Sequence, residues 1–253
     1  MRYQGVEGEG EVADLARTFN RMADNIQMND NSRGQFMGNI AHELRTPMTT
    51  IKGFVDGILD GTIPPDMQNH YLQLVSEETG RLARLIQNML DLSKLESGEY
   101  QVNARMFNIW ETLTGVALSA EQRINDGMID LEGLTMDEKV LVYADPDLIH
   151  QVAYNILDNA IKYSAPGGRI TVKIWQGEYK AFIEIIDQGR GIPPEDLENV
   201  KTKFYKGSNS VRGSGIGLAL VDSIMTALDG TMDLKSTLGR GTVVTLGLPI
   251  YKR

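Results

Sequence analysis

Residues 146–164 read PDLIHQVAYNILDNAIKYS. Asp145 stands just before them as an N-cap, and Pro146 fits the first helical position. Ile149, Val152, Ile156 and Ala160 recur every three or four residues, so the segment is an amphipathic helix with that stripe inward. Asn155, Asn159 and Lys162 lie at i, i+4 and i+7 and share an adjoining face. Asparagine is a poor helix former, so local stability does not account for two of them. Two readings stand on the residues alone. One is a solvated face. The other is a set of amide oxygens turned to a hard cation that carries phosphates, with Lys162 adding a point charge.

Around this helix the texture is that of an α+β domain. MIDLEGL (128–134), KVLVYAD (139–145), RITVKIW (169–175) and KAFIEIID (180–187) have strand composition. NIWETLTGVALSAEQRINDG (108–127) and SGIGLALVDSIMTAL (214–228) read as helices, and 230–250 reads as a hairpin turning at Gly239. Helices mixed with antiparallel strands in this order predict a two-layer α/β sandwich.

The first hundred residues are helical instead. Val12, Leu15, Phe19, Met22 and Ile26 step by three and four, the spacing of a coiled-coil seam or of one amphipathic helix. A second helix starts near Gln35, with Met37, Ile40, Leu44, Met48, Ile51, Val55 and Ile58 as its seam, and breaks at Gly61 and Pro64–Pro65. One extra residue enters that seam between Ile40 and Met48, which unwinds a supercoil locally. A third helix carries Leu72, Val75, Thr79, Leu82, Ile86 and Met89. The two make an antiparallel hairpin, and because one hairpin has too little core, two of them are expected to pair into a four-helix bundle. The expected domains are 1–30, a signalling helix; 31–100, the helical hairpin; and 101–253, the sandwich.

Composition removes several function classes. The 253 residues carry a net charge of −9, which argues against a nucleic-acid surface. There is no cysteine, so thiol catalysis, disulfides and cysteine zinc sites are out. No run of about 18 apolar residues marks a membrane span, and no signal peptide is visible. An acidic chain that binds a polyanion must use backbone amides, a metal ion or a few lysines.

Three further stretches carry such devices. IEIIDQGRGI (183–192) puts Asp187 at the end of an apolar strand, followed by Gly189 and Gly191. The carboxylate can accept from an exocyclic amine, and the glycines let a flat ring approach the backbone; a plain strand and turn reads equally well. GSGIGL (213–218) places Gly213, Gly215 and Gly217 at a helix start, where exposed amides make an anion site. It is neither the dinucleotide fingerprint, since position 218 is leucine, nor a Walker A loop. GRGT (239–242) reads first as a hairpin turn.

Taken in order, Asn-x-x-x-Asn-x-x-Lys, Asp-x-Gly-x-Gly, Gly-x-Gly-x-Gly and Gly-x-Gly-Thr resemble the four nucleotide boxes of the ATP-binding superfamily of histidine kinases, gyrase, Hsp90 and MutL. KFYKGS (203–208) is similar to the phenylalanine box of the kinases, with Lys206 where arginine is usual. Lysine keeps the charge and loses the bidentate fork. NIAHELRTPMTTIKGF (39–54) resembles the phosphoacceptor box of sensor histidine kinases, and 9–26 resembles the second helix of a HAMP linker.

The resemblance implies a two-component sensor histidine kinase. Its sandwich would be a Bergerat-type ATP-binding fold. ATP would bind with adenine at Asp187, Mg²⁺ at Asn155, and phosphates at Gly213, Gly215 and Gly217. Asn159, Lys162, Tyr163, Gly189, Gly191, Lys206, Leu218 and Thr242 complete the expected nucleotide site. His42 would take the phosphoryl group and pass it to an aspartate of a response regulator receiver domain. Glu43 would set the imidazole tautomer, and Thr46 would orient a water for dephosphorylation. The helical hairpin would form the homodimer, and the chain would be the cytoplasmic portion of a bacterial membrane sensor whose upstream segments reach the membrane. The alternatives are a phosphatase-biased or scaffold member of the same family, and an ATPase of the gyrase or Hsp90 type without histidine phosphorylation.

Helical geometry agrees on one point. His42 is two residues from both Ile40 and Leu44, so it points about 200° away from each, toward solvent. Thr46, one turn on, shares that face, and a threonine there excludes the zinc motif H-E-x-x-H. Pro47 removes an amide hydrogen and crowds the carbonyl of residue 43. With the extra seam residue, it predicts a hinge beside His42.

Overall fold

The computed structural model describes residues 37–134, 139–207 and 213–250. The signalling helix expected within 1–30 lies outside the described residues. The chain divides into two compact units, one ending at Leu82 and the other running Ala83–Arg253. The division falls inside a helix. The change of texture near residue 100 marks where that helix ends.

In the first unit, helix α1 covers 37–59 and α2 (Pro65–Ser97) begins. The connection is tight. Gly61 takes a positive φ of 78°, and the Ile63 amide donates to the Gly57 carbonyl at 2.7 Å. Ile63 is buried against Gly57, and Phe54 meets Tyr71 edge-on, with centroids 5.1 Å apart. His70 is an exposed residue in the second turn of α2.

Helix α1 is unbroken across Pro47, whose ring is buried. The Thr46 hydroxyl lies 3.4 Å from the His42 carbonyl, and the Thr50 hydroxyl donates to the Thr46 carbonyl at 3.1 Å. Side chains thus bond the backbone one turn back on either side of the proline. The expected seam splits in two. Ile40, Leu44, Ile51, Val55 and Ile58 are half-buried, whereas Met37 and Met48 stay exposed, in line with exposed Leu59 outside the seam, at three-turn intervals.

The second unit is the two-layer sandwich. Its strands are β1 (Arg105–Asn108), β2 (Asp130–Glu132), β3 (Leu141–Ala144), β4 (Arg169–Gln176), β5 (Lys180–Asp187), β6 (Thr231–Thr237) and β7 (Gly241–Pro249). Its helices are α3 (Ile109–Ser119), α4 (Glu121–Asp126), α5 (Pro146–Tyr163), α6 (Pro194–Leu197) and α7 (Gly217–Ala227). The main sheet runs β2-β4-β5-β7-β6, and β1 pairs with β3 apart from it. The β2–β4 pair is parallel, so the sheet is mixed where antiparallel strands were expected. The single helix expected over 108–127 breaks at Ala120, which leaves the helical region at φ −101°, ψ 1°.

One face of the sheet is apolar and covered. Ile170, Val172, Ala181, Ile183, Ile185, Leu246 and Leu248 are buried, as are Ile149, Val152, Ile156 and Ala160 of α5 and Leu220, Val221 and Ile224 of α7. The predicted stripe of α5 is therefore its buried face. The last turns of α2 join this unit through Leu85, Met89 and Leu92, and the buried Asp91 accepts from Gln87 and Gln151.

Asp145 locks α5 in phase. Its Oδ1 accepts from the amides of Asp147 at 3.0 Å and Leu148 at 3.4 Å, and its Oδ2 accepts from the Asn103 amide at 2.8 Å. The residue is only 3% exposed. Asp145→Ala removes the cap and strands a buried amide, so it should destabilise this unit by about 2–3 kcal/mol. Asp145→Asn, which keeps the accepting Oδ1, should cost less than half of that. Both tryptophans, Trp110 and Trp175, lie in this unit, so urea unfolding followed by their fluorescence reads it alone. A loss below 1 kcal/mol for the alanine would show that the cap does not hold α5.

Candidate functional site

Asp187 ends β5 on the covered side of the sheet. Its Oδ1 accepts from the Gly189 amide at 2.8 Å and the Thr242 amide at 3.2 Å. Both bonds fall on one oxygen, leaving Oδ2 for a ligand. Burial pushes the carboxyl above its usual range, and the two amides oppose that shift. Gly241 has a φ of 107°, and a Cβ there would lie 2.0 Å from the Asp187 carbonyl. Only glycine lets β7 come close enough to deliver the Thr242 amide. The GRGT stretch is thus a hairpin turn, at Gly239, and also part of the site.

The end of α5 joins the same place. Gly189 packs on the Tyr163 carbonyl, which also accepts from the Arg190 amide at 3.3 Å. The Gly239 amide donates to the Arg190 carbonyl at 2.7 Å, and Gly191 lies against the Thr237 carbonyl. The Tyr163 ring sits near two cations, with Lys162 Nζ 4.7 Å and the Arg190 guanidinium 4.6 Å from its centroid. Lys162 Nζ also donates to the Tyr163 hydroxyl at 3.1 Å.

Asn155 and Asn159 are half-buried rather than exposed. The Asn155 Nδ2 donates to the Gln151 carbonyl at 2.8 Å. That bond turns Oδ1 toward the first residue of α7, where a Cβ on Gly217 would stand 3.0 Å away. The oxygen therefore faces the positive end of a helix, next to its free amides. Among the described residues no group of three or more His, Asp or Glu forms a metal cage. A cation here would have one amide oxygen from the protein and would draw its remaining ligands from phosphate and water, which suits Mg²⁺.

Gly213 and Gly215 lead into α7, Leu218 is half-buried in its first turn, and Gly213 follows residues 208–212, which lie outside the described residues. Phe204 has a φ of 61°, unusual for an aromatic residue, and its amide donates to the Gly215 carbonyl at 2.9 Å. Gly215, at φ 69°, is so close that a Cβ would lie 2.7 Å from the Phe204 carbonyl carbon. The Tyr205 hydroxyl donates to buried Asp196, which holds the phenol above its ordinary range. Lys206 is exposed beside this segment. Arg190, Asp196 and Ser236 escaped sequence reasoning. Of these only Ser236 was reachable, because a turn centred on Gly239 places it opposite Thr242 by counting.

His42, Glu43 and Thr46 lie in the other unit, on α1. The His42 side chain is 76% exposed and Glu43 only 13%, with His42 Nδ1 3.8 Å from Glu43 Oε1. Nδ1 thus faces a carboxylate and Nε2 is the open nitrogen.

Comparisons with known proteins point one way. Residues 32–98 match the His Kinase A (phospho-acceptor) domain, and residues 144–252 match the histidine kinase-, DNA gyrase B- and HSP90-like ATPase family. The sensor histidine kinase YclK of Bacillus subtilis is 35% identical over 256 residues, covering 95% of this chain and 53% of YclK. WalK of the same organism is 33% identical over 230 residues, covering 88% of this chain and 37% of WalK. The chain thus spans about half or less of the curated relatives it matches. Among solved structures, the Acinetobacter baumannii histidine kinase AdeS aligns with a TM-score of 0.70 at 27% identity, over 83% of this chain and 98% of that one. Histidine kinase ThkA, solved in complex with the response regulator TrrA, shares the fold at TM-score 0.69 and 24% identity, over 89% of this chain and 64% of that one.

Asp187 gives a test of function against stability. Its pKa is raised on folding, so its stabilising contribution belongs to the protonated form. That contribution is present below the unfolded value and is lost as pH rises through the folded one, so the ionised carboxylate is a cost at pH 7. Asp187→Asn keeps an accepting oxygen for the two amides and removes the charge. The ligand-free protein should melt at the same temperature or higher at pH 7, and the difference should shrink toward pH 4. A drop of several degrees at pH 7 would make Asp187 a structural residue instead.

Proposed function

The chain belongs to the histidine kinase family, and from that premise we propose that it transfers the γ-phosphoryl group of ATP to His42 and then to an aspartate of a response regulator. The observation that carries the proposal is the exposed imidazole of His42 with Nδ1 turned to Glu43, in a chain that also holds the Asp187 and Asn155 site. The Nε2 lone pair attacks the γ-phosphorus, a nitrogen–phosphorus bond forms, and the bond to the bridging oxygen breaks as ADP leaves. Glu43 takes up the Nδ1 proton that the ring then sheds.

In this reading Asp187 Oδ2 accepts from the adenine amine, and Asn155 Oδ1 holds Mg²⁺, which supplies charge neutralisation at the phosphates. The glycines 213, 215 and 217 and the α7 amides receive the phosphates, and Lys162 and Lys206 add charge. Asn159, Tyr163, Gly191, Leu218 and Thr242 complete the site. Donor and acceptor belong to different compact units. Thr46 shares the His42 face and is assigned to positioning water for dephosphorylation.

Met37, Met48 and Leu59 are 60%, 58% and 80% exposed at three-turn spacing on α1, and a second copy of the hairpin would cover them. No helix of the described residues is long and apolar enough to cross a membrane. The proposed place of this portion is the cytoplasmic side of a membrane sensor, where ATP and the receiver domain are found.

Purified protein given ATP labelled in the γ-phosphate should acquire an acid-labile, alkali-stable label. His42→Gln should abolish it. Asn155→Ala should reduce it to background while sedimentation still reports the dimer. Steady ATP hydrolysis without any protein-bound label would overturn the kinase reading in favour of a plain ATPase.

A further inference from the structure

Ser236 belongs to none of the nucleotide motifs, yet its hydroxyl joins three segments of the site. It accepts from the Ile192 amide at 2.8 Å, donates to the Gly241 carbonyl at 2.9 Å, and lies 2.9 Å from Thr242 Oγ1. A hydroxyl has one proton and two lone pairs. The Gly241 carbonyl can only accept, so the Ser236 proton is committed there. The Ile192 amide can only donate and fills one lone pair. One lone pair remains, so Thr242 must be the donor in the hydroxyl pair.

That assignment reaches the ligand. Strand register puts Asp187 opposite Thr242, and Thr242 opposite Ser236, in one row across β5, β7 and β6. The row is on the covered face of the sheet, since Ile185 and Val244, two residues along each strand, are buried there. Asp187 Oδ1 is filled by two amides, so Oδ2 is its free acceptor. With its only proton held by Ser236, Thr242 Oγ1 also has only lone pairs to offer. Two acceptors and no donor stand side by side.

We propose that Ser236 is a positioning residue for base recognition: it fixes the Thr242 hydroxyl as an acceptor, so that the Asp187–Thr242 row selects a purine bearing a 6-amino group over one bearing a 6-oxo group. The inference rests on the nucleotide reading of the site. An amino group brings two N–H donors to this row. An oxo group brings lone pairs against lone pairs and leaves half-buried acceptors unpaired, the situation in which sites reject ligands most sharply.

Equilibrium binding of ATP and of inosine triphosphate to the full chain, measured by calorimetry without turnover, tests it. The native protein should prefer ATP. Ser236→Ala frees the Thr242 proton to turn toward a 6-oxo group, so the preference should narrow by about tenfold, the scale of one hydrogen bond. Ser236→Thr should restore it. Thr242→Val keeps the shape and leaves the Ser236 bonds to Ile192 and Gly241, so it guards against misfolding of the first variant. It should narrow the preference by a similar factor. Equal weakening of both nucleotides in Ser236→Ala, or an undiminished preference in Thr242→Val, would overturn the inference and leave the nucleotide reading intact. A native protein that binds neither nucleotide would instead remove that reading, and the inference with it.

Discussion

A half-buried carboxylate, with two backbone amides as its support, is the constraint from which the second unit is best understood. Asp187 receives two amides on one oxygen, from Gly189 and Thr242. Each comes from a different segment, so the carboxylate holds its place only if β7 and the turn after β5 converge on it. Convergence this close forbids a side chain at Gly241, where a Cβ would stand 2.0 Å from the Asp187 carbonyl. The glycines that look like flexible loop residues in the sequence are therefore sites of close packing. Loss of backbone entropy at glycine and desolvation of the charge both oppose folding. The apolar layer of Ile170, Ile183, Leu220, Ile224, Leu246 and Leu248 offsets them.

The helical layer supplies the second half of the site by the same logic of phase. Asp145 fixes where α5 starts, and the buried stripe fixes its rotation on the sheet. Asn155 then has one direction in which to point. Its own amide group, tied to Gln151, chooses which end of the side chain faces α7. A helix cap ten residues away thus helps decide whether the oxygen or the nitrogen of the Asn155 amide faces the N-terminal end of α7.

Much of this was legible in the sequence, and the legible part has a common cause. Periodicity reports burial, so the stripe of α5, the strands from Arg169 to Asp187 and the hairpin about Gly239 were all reachable from spacing. Asp145 as a cap was reachable from its residue type and the proline after it. What escaped depends on contacts between segments far apart in sequence. Nothing local distinguishes Asp196, buried under Tyr205, from the neighbouring acids of α6. Arg190 looks like any turn residue until the Tyr163 ring is beside it. The parallel β2–β4 pair and the break at Ala120 are likewise tertiary choices, as a three-residue edge strand and a short helix carry little pattern of their own.

The boundary between the units shows why a helix can belong to both. Leu85, Met89 and Leu92 give the end of α2 an apolar seat in the second unit, but its specific contacts there are polar. Asp91 accepts from Gln151 at 2.9 Å, and Glu96 pairs with Lys203 at 2.6 Å. Gln151 is the residue whose carbonyl orients Asn155, and Lys203 adjoins Phe204, whose amide holds Gly215. Partly exposed polar bonds of this kind are worth on the order of 1 kcal/mol or less each. The larger share of the seat is apolar, since Leu85, Met89 and Leu92 are buried and side chains of that size contribute about 1.5–3 kcal/mol each. The polar contacts of α2 touch two segments, α5 and the Phe204 turn, which carry Asn155 and the bond to Gly215.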